Sequence, residues 1–149
     1  MSERVLKVAH EWVGLEFKPG RVEQCAAFVR AVFGEAGVPL GIAKRPSDWE
    51  LTKHLAQGPD FANSFFSDEV GKLLASLEEA RPGDLLAFRN TYQGDFPPDC
   101  ITHVGIYAGE GRMIDRSTSS EPVRHIELSE WWRERLAEIR RPSALDSPA

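Results

Sequence analysis

Apolar residues recur at steps of three and four over residues 2 to 13, and the same spacing returns over residues 24 to 36. This spacing places the apolar side chains on one face of a helix. Gly14 and Gly37 directly follow the two segments, and glycine commonly ends a helix because it adopts positive φ without strain. We therefore predict two N-terminal helices, each with one buried face.

A long connection, residues 38 to 80, follows the second helix. Part of it again has a helical period, carried by six apolar residues: Phe65, Phe66, Val70, Leu73, Leu74 and Leu77. We predict a helical segment there. Connections of this length commonly form a lid or a cleft wall, so we expect this insert to shape one side of a site.

Beyond residue 80 the pattern changes to short apolar runs bounded by turn residues. RPGDLLAF is typical of a turn and a strand, and ITHVGIYAGEGRMIDRS of two strands joined by a glycine-flanked turn. PVRHIEL and LAEIRRP predict two more strands. Helices followed by strands indicate an α+β fold, with the N-terminal helices packed on an antiparallel β-sheet. The length suits one domain over residues 1–149, and we expect residues 143–149 to be a disordered tail.

Charge and composition argue against several classes of protein. The 149 residues carry a formal net charge of −5, which argues against a nucleic-acid partner because such proteins need a basic face. No apolar stretch reaches the ~20 residues of a membrane span, and the N-terminus lacks the apolar run of a signal peptide. We expect a cytoplasmic location by default, or export by a route without a cleaved signal, and no cofactor.

Cys25 falls at the start of the second predicted helix. Unpaired backbone N–H groups and the positive end of the helix dipole favour thiolate over thiol at such a position. The same N–H groups can stabilise an oxyanion on a carbonyl that the sulfur attacks. A cysteine nucleophile also needs a base, most often histidine. Taken alone, however, a cysteine on an apolar helix stripe is more often a buried core residue.

His103 opens the best-defined predicted strand, in which side chains alternate in direction. One face carries a mainly apolar set that is typical of a core: Thr102, Val104, Ile106 and Ala108. His103 lies on the other face, beside Gly105, which leaves room for a partner. A hydrogen-bonded structural histidine is the alternative interpretation.

The length of the turn after this strand decides whether Asp115 can be that partner. A three-residue loop would pair Ala108 with Arg112. Asp115 would then face Gly105 on the side of His103, diagonally about 7–8 Å away between backbones, which side chains can bridge. A two-residue loop would move Asp115 to the core face, where an unpaired carboxylate is costly. We therefore predict the three-residue loop and an Asp115 that orients His103; a solvent-facing Asp115 is the alternative.

Cys100 and His103 have a spacing that also occurs in metal sites. Zinc, however, usually needs three or four protein ligands, and no second pair of cysteine and histidine has a suitable spacing here. We therefore predict no metal. The two cysteines of the chain also do not form a disulfide framework.

Three motifs together resemble the NlpC family of cell-wall cysteine peptidases, a branch of the papain-like superfamily. EQCAAFVRAVFGEAGV resembles the family's cysteine motif at the start of a helix, RPGDLLAF its proline-glycine-aspartate turn, and THVGIYAGEGRMIDRS its histidine strand with the following turn and strand. The resemblance covers almost the whole chain. It implies a papain-like fold with Cys25 as nucleophile and His103 as general base. Asp115 falls at the place of a third polar residue, which is most often histidine in the family.

Three positions depart from the family's pattern near the expected substrate. Gln24 replaces the usual aspartate before the cysteine, Ala26 replaces a serine, and Phe17 stands where a tyrosine often contributes its hydroxyl near the oxyanion site. In the family that aspartate and tyrosine help to hold the free amino end of a stem peptide, and glutamine lacks the charge that pairs with an ammonium. We expect Gln24, Phe17 and, within the insert, Trp49 to line the substrate or oxyanion side of the site.

The resemblance implies hydrolysis of amide bonds in peptidoglycan stem peptides, often between D-glutamate and a diamino acid. Two alternatives remain open. The same machinery could serve an amidase, acyltransferase or transpeptidase on another substrate, or the chain could be an inactive binding module in which Trp49, Trp131 and Trp132 contribute to recognition. A wall hydrolase without a signal peptide would need a phage- or effector-type route, with a delivery or neutralising protein as its partner.

Overall fold

The computed structural model describes most of the chain: residues 1–16, 24–41, 62, 68–91, 101–116 and 122–146. The helices in these residues are α1 (Ser2–Trp12), α2 (Gln24–Ala36) and α3 (Glu130–Arg135). The strands are β1 (Gly71–Leu73), β2 (Leu85–Phe88), β3 (His103–Gly109), β4 (Arg112–Asp115), β5 (Arg124–Glu127) and β6 (Leu136–Pro142). Short 3-10 helices lie at Leu77–Glu79 and Ser143–Leu145. Within the described residues, no helix has the length and apolar character needed to cross a membrane.

The strands form one antiparallel sheet in the order β1-β6-β2-β3-β4-β5. Helix α1 packs against α2, and α2 packs against β3 and β4 in the interior of the sheet. The predicted α+β fold, with N-terminal helices on an antiparallel sheet, is confirmed. The strands predicted in the second half of the chain are also present, whereas the short helix α3 was not predicted.

The predicted helical segment over residues 65–77 is wrong where the structure describes it. Gly71–Leu73 is strand β1, which pairs with β6 at the edge of the sheet. A side chain at Gly71 would collide with the backbone carbonyl of Arg141, so the close approach of the two strands requires glycine. Strand pairing therefore overrides the helical spacing of the apolar residues. Residues 63–67 lie outside the described residues.

Apolar side chains cover both faces of the sheet. The face toward α1 and α2 carries the buried residues Leu85, Ala87, Val104, Ile106 and Ile114. The opposite face carries a second cluster that includes Leu86, Phe88, Tyr107, Met113 and Ile139. Trp132 of α3 packs against this second cluster. The alternating side chains of β3 thus point into two different apolar clusters. The polar residues of this strand are therefore buried on either face.

The proline-glycine-aspartate turn attaches β2 to its neighbours. The buried carboxylate of Asp84 accepts hydrogen bonds from the backbone N–H of Arg81 and from the guanidinium of Arg141 on β6. The backbone carbonyl of Asp84 accepts a hydrogen bond from the N–H of Tyr107 on β3. This aspartate therefore has a structural function that the motif alone does not reveal.

The end of the chain differs from the prediction of a disordered tail from residue 143. Ser143–Leu145 forms a 3-10 helix, and the N–H of Ser143 donates to the carbonyl of Val70 at 3.0 Å. Leu145 packs against the core on the helix side of the sheet. Disorder is therefore wrong for these residues, because an apolar side chain near the terminus fixes them, and residues 147–149 lie outside the described residues.

Candidate active site

The turn between β3 and β4 is shorter than predicted. Gly109 pairs with Arg112, which leaves a two-residue turn of Glu110 and Gly111. Both turn residues have positive φ, 53° and 73°, as in the tight hairpin turns that match the twist of the strands. The predicted three-residue loop, which paired Ala108 with Arg112, is wrong.

A β-bulge compensates for the register change that the shorter turn would otherwise cause. The β3–β4 pairing shifts just before Gly109, so β3 has one extra residue relative to β4. Ile106 then lies opposite Ile114, and one step further the same register brings Asp115 opposite Gly105. The predicted face of Asp115 is therefore correct, although the loop that was expected to produce it is not.

His103 begins β3 and Asp115 ends β4 on the same face of the sheet. The Nε2 atom of His103 lies 2.7 Å from Oδ2 of Asp115, and both side chains are buried. A Cβ atom at Gly105 would lie 2.7 Å from the sulfur of Met113 but only in ordinary contact, at 3.5 Å, with the Cβ atom of Asp115. The predicted contact between His103 and Asp115 is confirmed. Since Nε2 faces the carboxylate, Nδ1 is the ring nitrogen that faces away from it.

Arg124 on β5 completes the surroundings of Asp115 and was not among the predicted site residues. The two residues are direct partners in the β4–β5 ladder. Nε of Arg124 lies 3.0 Å from Oδ1 of Asp115, and Nη2 lies 2.7 Å from Oδ2. The guanidinium therefore bridges both carboxylate oxygens. The sequence PVRHIEL shows an arginine in a predicted strand. Its partner, however, depends on how β5 aligns with β4, and the sequence between the two strands has no motif that predicts this alignment.

Asp115 is fully buried, yet its surroundings favour the ionised carboxylate. Burial by itself raises the pKa of a carboxyl group, because the charge loses contact with water. The hydrogen bonds and charge interactions with His103 and Arg124 outweigh burial and hold the pKa of Asp115 below its ordinary value of 3.8. The site therefore contains a carboxylate at neutral pH.

Aromatic rings cover His103 on the face of the sheet opposite to α2. The ring centroid of Trp132 lies 5.4 Å from that of His103 and 4.9 Å from that of Phe88. Trp131 is 43% exposed, and the guanidinium of Arg135 lies 4.0 Å from its ring centroid. Trp132 is thus a partly buried anchor in the wall of the site, whereas Trp131 faces solvent.

Cys25 is the second residue of α2. Its side chain is fully buried and belongs to the core cluster between the helices and the sheet. Helix α2 packs against β3 and β4. The structure thus brings His103 and Asp115 together, and it places Cys25 on a helix that packs against their strands.

The other predicted site residues fall largely outside the described part of the chain. Gln24 is the first residue of α2, and only its backbone is described. Phe17, Trp49 and Cys100 lie outside the described residues. Among the residues that are described, no group of three or more His, Cys, Asp or Glu side chains could hold a metal ion.

Fold and site together define a papain-like α+β protein, in which a cysteine is the second residue of one helix and one strand begins at a histidine that is hydrogen-bonded to an acid. The sequence model of the NlpC/P60 family matches residues 9–141. The chain therefore belongs to the NlpC/P60 family, and the resemblance that the three motifs indicated is confirmed.

Three characterised relatives match different lengths of the chain. The gamma-DL-glutamyl hydrolase of Bacillus subtilis (strain 168) is 35% identical over 79 residues, which are 53% of this chain and 18% of the relative. The bifunctional muramidase/DL-endopeptidase CwlT of the same strain is 42% identical over 67 residues, 44% of this chain and 18% of the relative. The murein DD-endopeptidase MepS/murein LD-carboxypeptidase of Escherichia coli (strain K12) is 26% identical over 145 residues, 95% of this chain and 63% of the relative. The chain thus spans less than two thirds of each relative.

Solved structures of the same family share the fold. A lipoprotein-like NLP/P60 protein from Staphylococcus aureus subsp. aureus Mu50 matches with a TM-score of 0.65 and 23% identity, over 95% of this chain and 41% of that one. The NlpC/p60 domain of the peptidoglycan hydrolase SagA matches with a TM-score of 0.60 and 18% identity, over 95% of this chain and 98% of that one. The SagA domain therefore has about the same extent as this chain.

Proposed function

We propose that the protein is a cysteine hydrolase that cleaves amide bonds in peptidoglycan stem peptides, with Cys25, His103 and Asp115 as its catalytic triad. Membership of the NlpC/P60 family supports hydrolysis. Relatives named as a DL-endopeptidase and a murein DD-endopeptidase support peptidoglycan as the substrate. The observation that carries the proposal is the buried hydrogen bond between His103 and Asp115, on strands against which the helix of Cys25 packs.

Cys25 is the proposed nucleophile. The first backbone N–H groups of a helix have no partners within it, and at the second position of α2 they favour the thiolate. The sulfur attacks the substrate carbonyl carbon, and the N–H of Cys25 stabilises the oxyanion. The C–N bond then breaks, and His103 passes the proton it took from the thiol to the leaving amine. Water cleaves the resulting thioester, which releases the acid and restores the thiol.

Asp115 is proposed to orient His103 for these proton transfers. Because the carboxylate accepts a hydrogen bond from Nε2, Nδ1 is the atom that exchanges the proton with sulfur. The ionised acid also stabilises the imidazolium that forms during the reaction. The reaction requires the sulfur of Cys25 and Nδ1 of His103 to come within hydrogen-bond reach of each other.

The names of two relatives favour a particular class of bond within the stem peptide. The gamma-DL-glutamyl hydrolase and the DL-endopeptidase share the D–L designation. We therefore propose cleavage between a D- and an L-configured centre. Gln24 provides no carboxylate for a substrate ammonium, so we propose that the amino side of the substrate is blocked or continues into further residues.

Digestion of peptidoglycan tests the substrate. The reduced protein is incubated with sacculi of several chemotypes, and the released fragments are identified by mass spectrometry. We expect fragments with a new amine and a new carboxyl group within the stem peptide. Cys25→Ala and His103→Ala should abolish their release, whereas Cys100→Ala, the matched control for loss of a cysteine, should not. Absence of fragments from every chemotype, with folded and reduced protein, would contradict the proposed substrate class.

Thiol alkylation tests the nucleophile without any substrate. The native protein is treated with iodoacetamide over a series of pH values, and modification of each cysteine is counted. We expect Cys25 to react well below the ~8.5 of a free thiol, and His103→Ala to remove this advantage. A Cys25 that reacts only after unfolding would contradict its role as nucleophile.

A digestion of peptidoglycan with an added amine tests the alternative of acyl transfer. Product formed with the amine as acceptor in place of water would indicate an acyltransferase.

A further inference from the structure

Asp115 creates an electrostatic requirement that His103 alone does not meet. The carboxylate is fully buried, and a buried charge needs a partner of opposite charge. Histidine is charged only while it holds a second proton, so a cation that keeps its charge is needed to balance Asp115 at every stage of a proton transfer.

Arg124 meets this requirement. Its guanidinium spans both oxygens of Asp115, at 3.0 Å and 2.7 Å, and arginine keeps its charge throughout the working range of an enzyme. The side chain is 25% exposed, so its outer part can reach water while the fork binds the buried carboxylate. Trp132 lies beside both partners of the acid, 5.9 Å from the guanidinium and 5.4 Å from the ring of His103.

The geometry of the fork also determines where the carboxylate points. Oδ2 of Asp115 lies 2.7 Å from Nε2 of His103 and 2.7 Å from Nη2 of Arg124, while Oδ1 lies 3.0 Å from Nε of Arg124. A bidentate arginine fixes the plane of a carboxylate as well as its charge. Since that plane sets the direction in which Oδ2 meets Nε2, the orientation of the imidazole depends on the arginine.

We propose that Arg124 is a positioning residue of the active site, which fixes the Asp115 carboxylate against His103 and balances its charge. The catalytic part of this proposal rests on the proposed function. The hydrogen-bond network itself does not, so the two can be tested separately.

Two substitutions and a matched control test the proposal. Arg124→Gln removes the charge and the fork, and Arg124→Lys keeps only the charge. Arg112→Gln is the control, because Arg112 pairs with Glu127 across the same two strands but at an exposed position. The readouts are kcat and KM on a muropeptide, together with the imidazole signals of ¹⁵N-histidine-labelled protein by NMR.

We expect Arg124→Gln to lower kcat by about 10- to 100-fold, the range for loss of hydrogen bonds to a charged group. KM should change by less than about twofold, because Arg124 acts through Asp115 rather than on the substrate. Arg124→Lys should recover part of the loss, and Arg112→Gln should stay within about twofold of wild type. The His103 imidazole N–H signal should shift in Arg124→Gln and stay in place in the control.

An unchanged imidazole signal together with unchanged kcat in Arg124→Gln would overturn the proposal. If that variant does not fold, Arg124→Lys decides, since wild-type kcat and an unchanged imidazole signal would show that the fork is not needed. If the wild type cleaves no muropeptide, the proposed function fails, while the NMR comparison still shows whether Arg124 orients His103.

Discussion

The guanidinium of Arg141 binds both oxygens of the Asp84 carboxylate, with Nε 3.1 Å from Oδ1 and Nη2 2.9 Å from Oδ2. Both side chains are buried, and the hydrogen bond to Asp84 raises the pKa of Arg141 despite the cost of burial. The pair has the same forked form as Asp115 and Arg124. It differs in position, because it fastens the turn before β2 to β6.

Removal of one partner from this pair should destabilise the fold strongly. In Asp84→Ala the buried guanidinium of Arg141 would lose its buried counter-charge and keep only the more exposed carboxylate of Asp146 at 4.0 Å, so we expect a loss of about 3–5 kcal/mol in the free energy of unfolding. Urea denaturation measures it. Glu127→Ala removes the exposed partner of Arg112 and should cost less than about 1 kcal/mol. Equal effects of the two substitutions would contradict the structural function of Asp84.

Asp115 should make the stability of the protein depend on pH on the acid side. Its pKa is lower in the folded protein than the ordinary 3.8, so the unfolded chain takes up the proton first as the pH falls. The stabilisation is therefore complete above about pH 5 and declines below about pH 4. Urea denaturation of wild type and Asp115→Asn over this range should give a difference in unfolding free energy that shrinks as the pH falls. A constant difference would contradict the assignment.

Replacement of two glycines by alanine should change the free energy of unfolding in opposite directions. Gly34 lies in α2 with open space around it, so Gly34→Ala should raise the free energy of unfolding by about 0.5–1 kcal/mol. At Gly71 a Cβ atom would collide with the backbone of β6, and Gly71→Ala should lower it by about 1–3 kcal/mol. Thermal or urea denaturation of both variants provides the check. A neutral Gly71→Ala would mean that β1 does not pair closely with β6.

The turn between β3 and β4 offers a stabilising substitution. Glu110 has a φ of 53°, a conformation that most side chains disfavour and asparagine tolerates. Glu110→Asn should therefore raise the free energy of unfolding by about 0.5–1 kcal/mol. The release of peptidoglycan fragments provides the control. It should stay the same, because the substitution leaves the register of Asp115 unchanged. A lower stability would argue against the two-residue turn.

Secondary structure was predicted correctly from the sequence where the local periodicity of apolar residues agrees with their burial in the fold. Both N-terminal helices and the strands after residue 80 follow from alternation and helical spacing, because each element buries the face that its pattern marks. The insert was predicted wrongly at Gly71–Leu73, where apolar residues at helical spacing form an edge strand instead. Pairing with β6 decided that segment, and such a long-range pairing leaves no local signal.

The candidate site likewise has a part that the sequence predicted and a part that depended on long-range strand pairing. The sequence by itself determined the candidate reactive groups of the proposed site: a cysteine at a helix start, a histidine at a strand start, and an acid on the same face of the next strand. Only the tertiary structure decided how the acid reaches that face, through a two-residue turn and a compensating bulge. It also decided that Arg124 binds Asp115, because the partner of a buried charge depends on how two strands align across a connection that carries no pattern of its own.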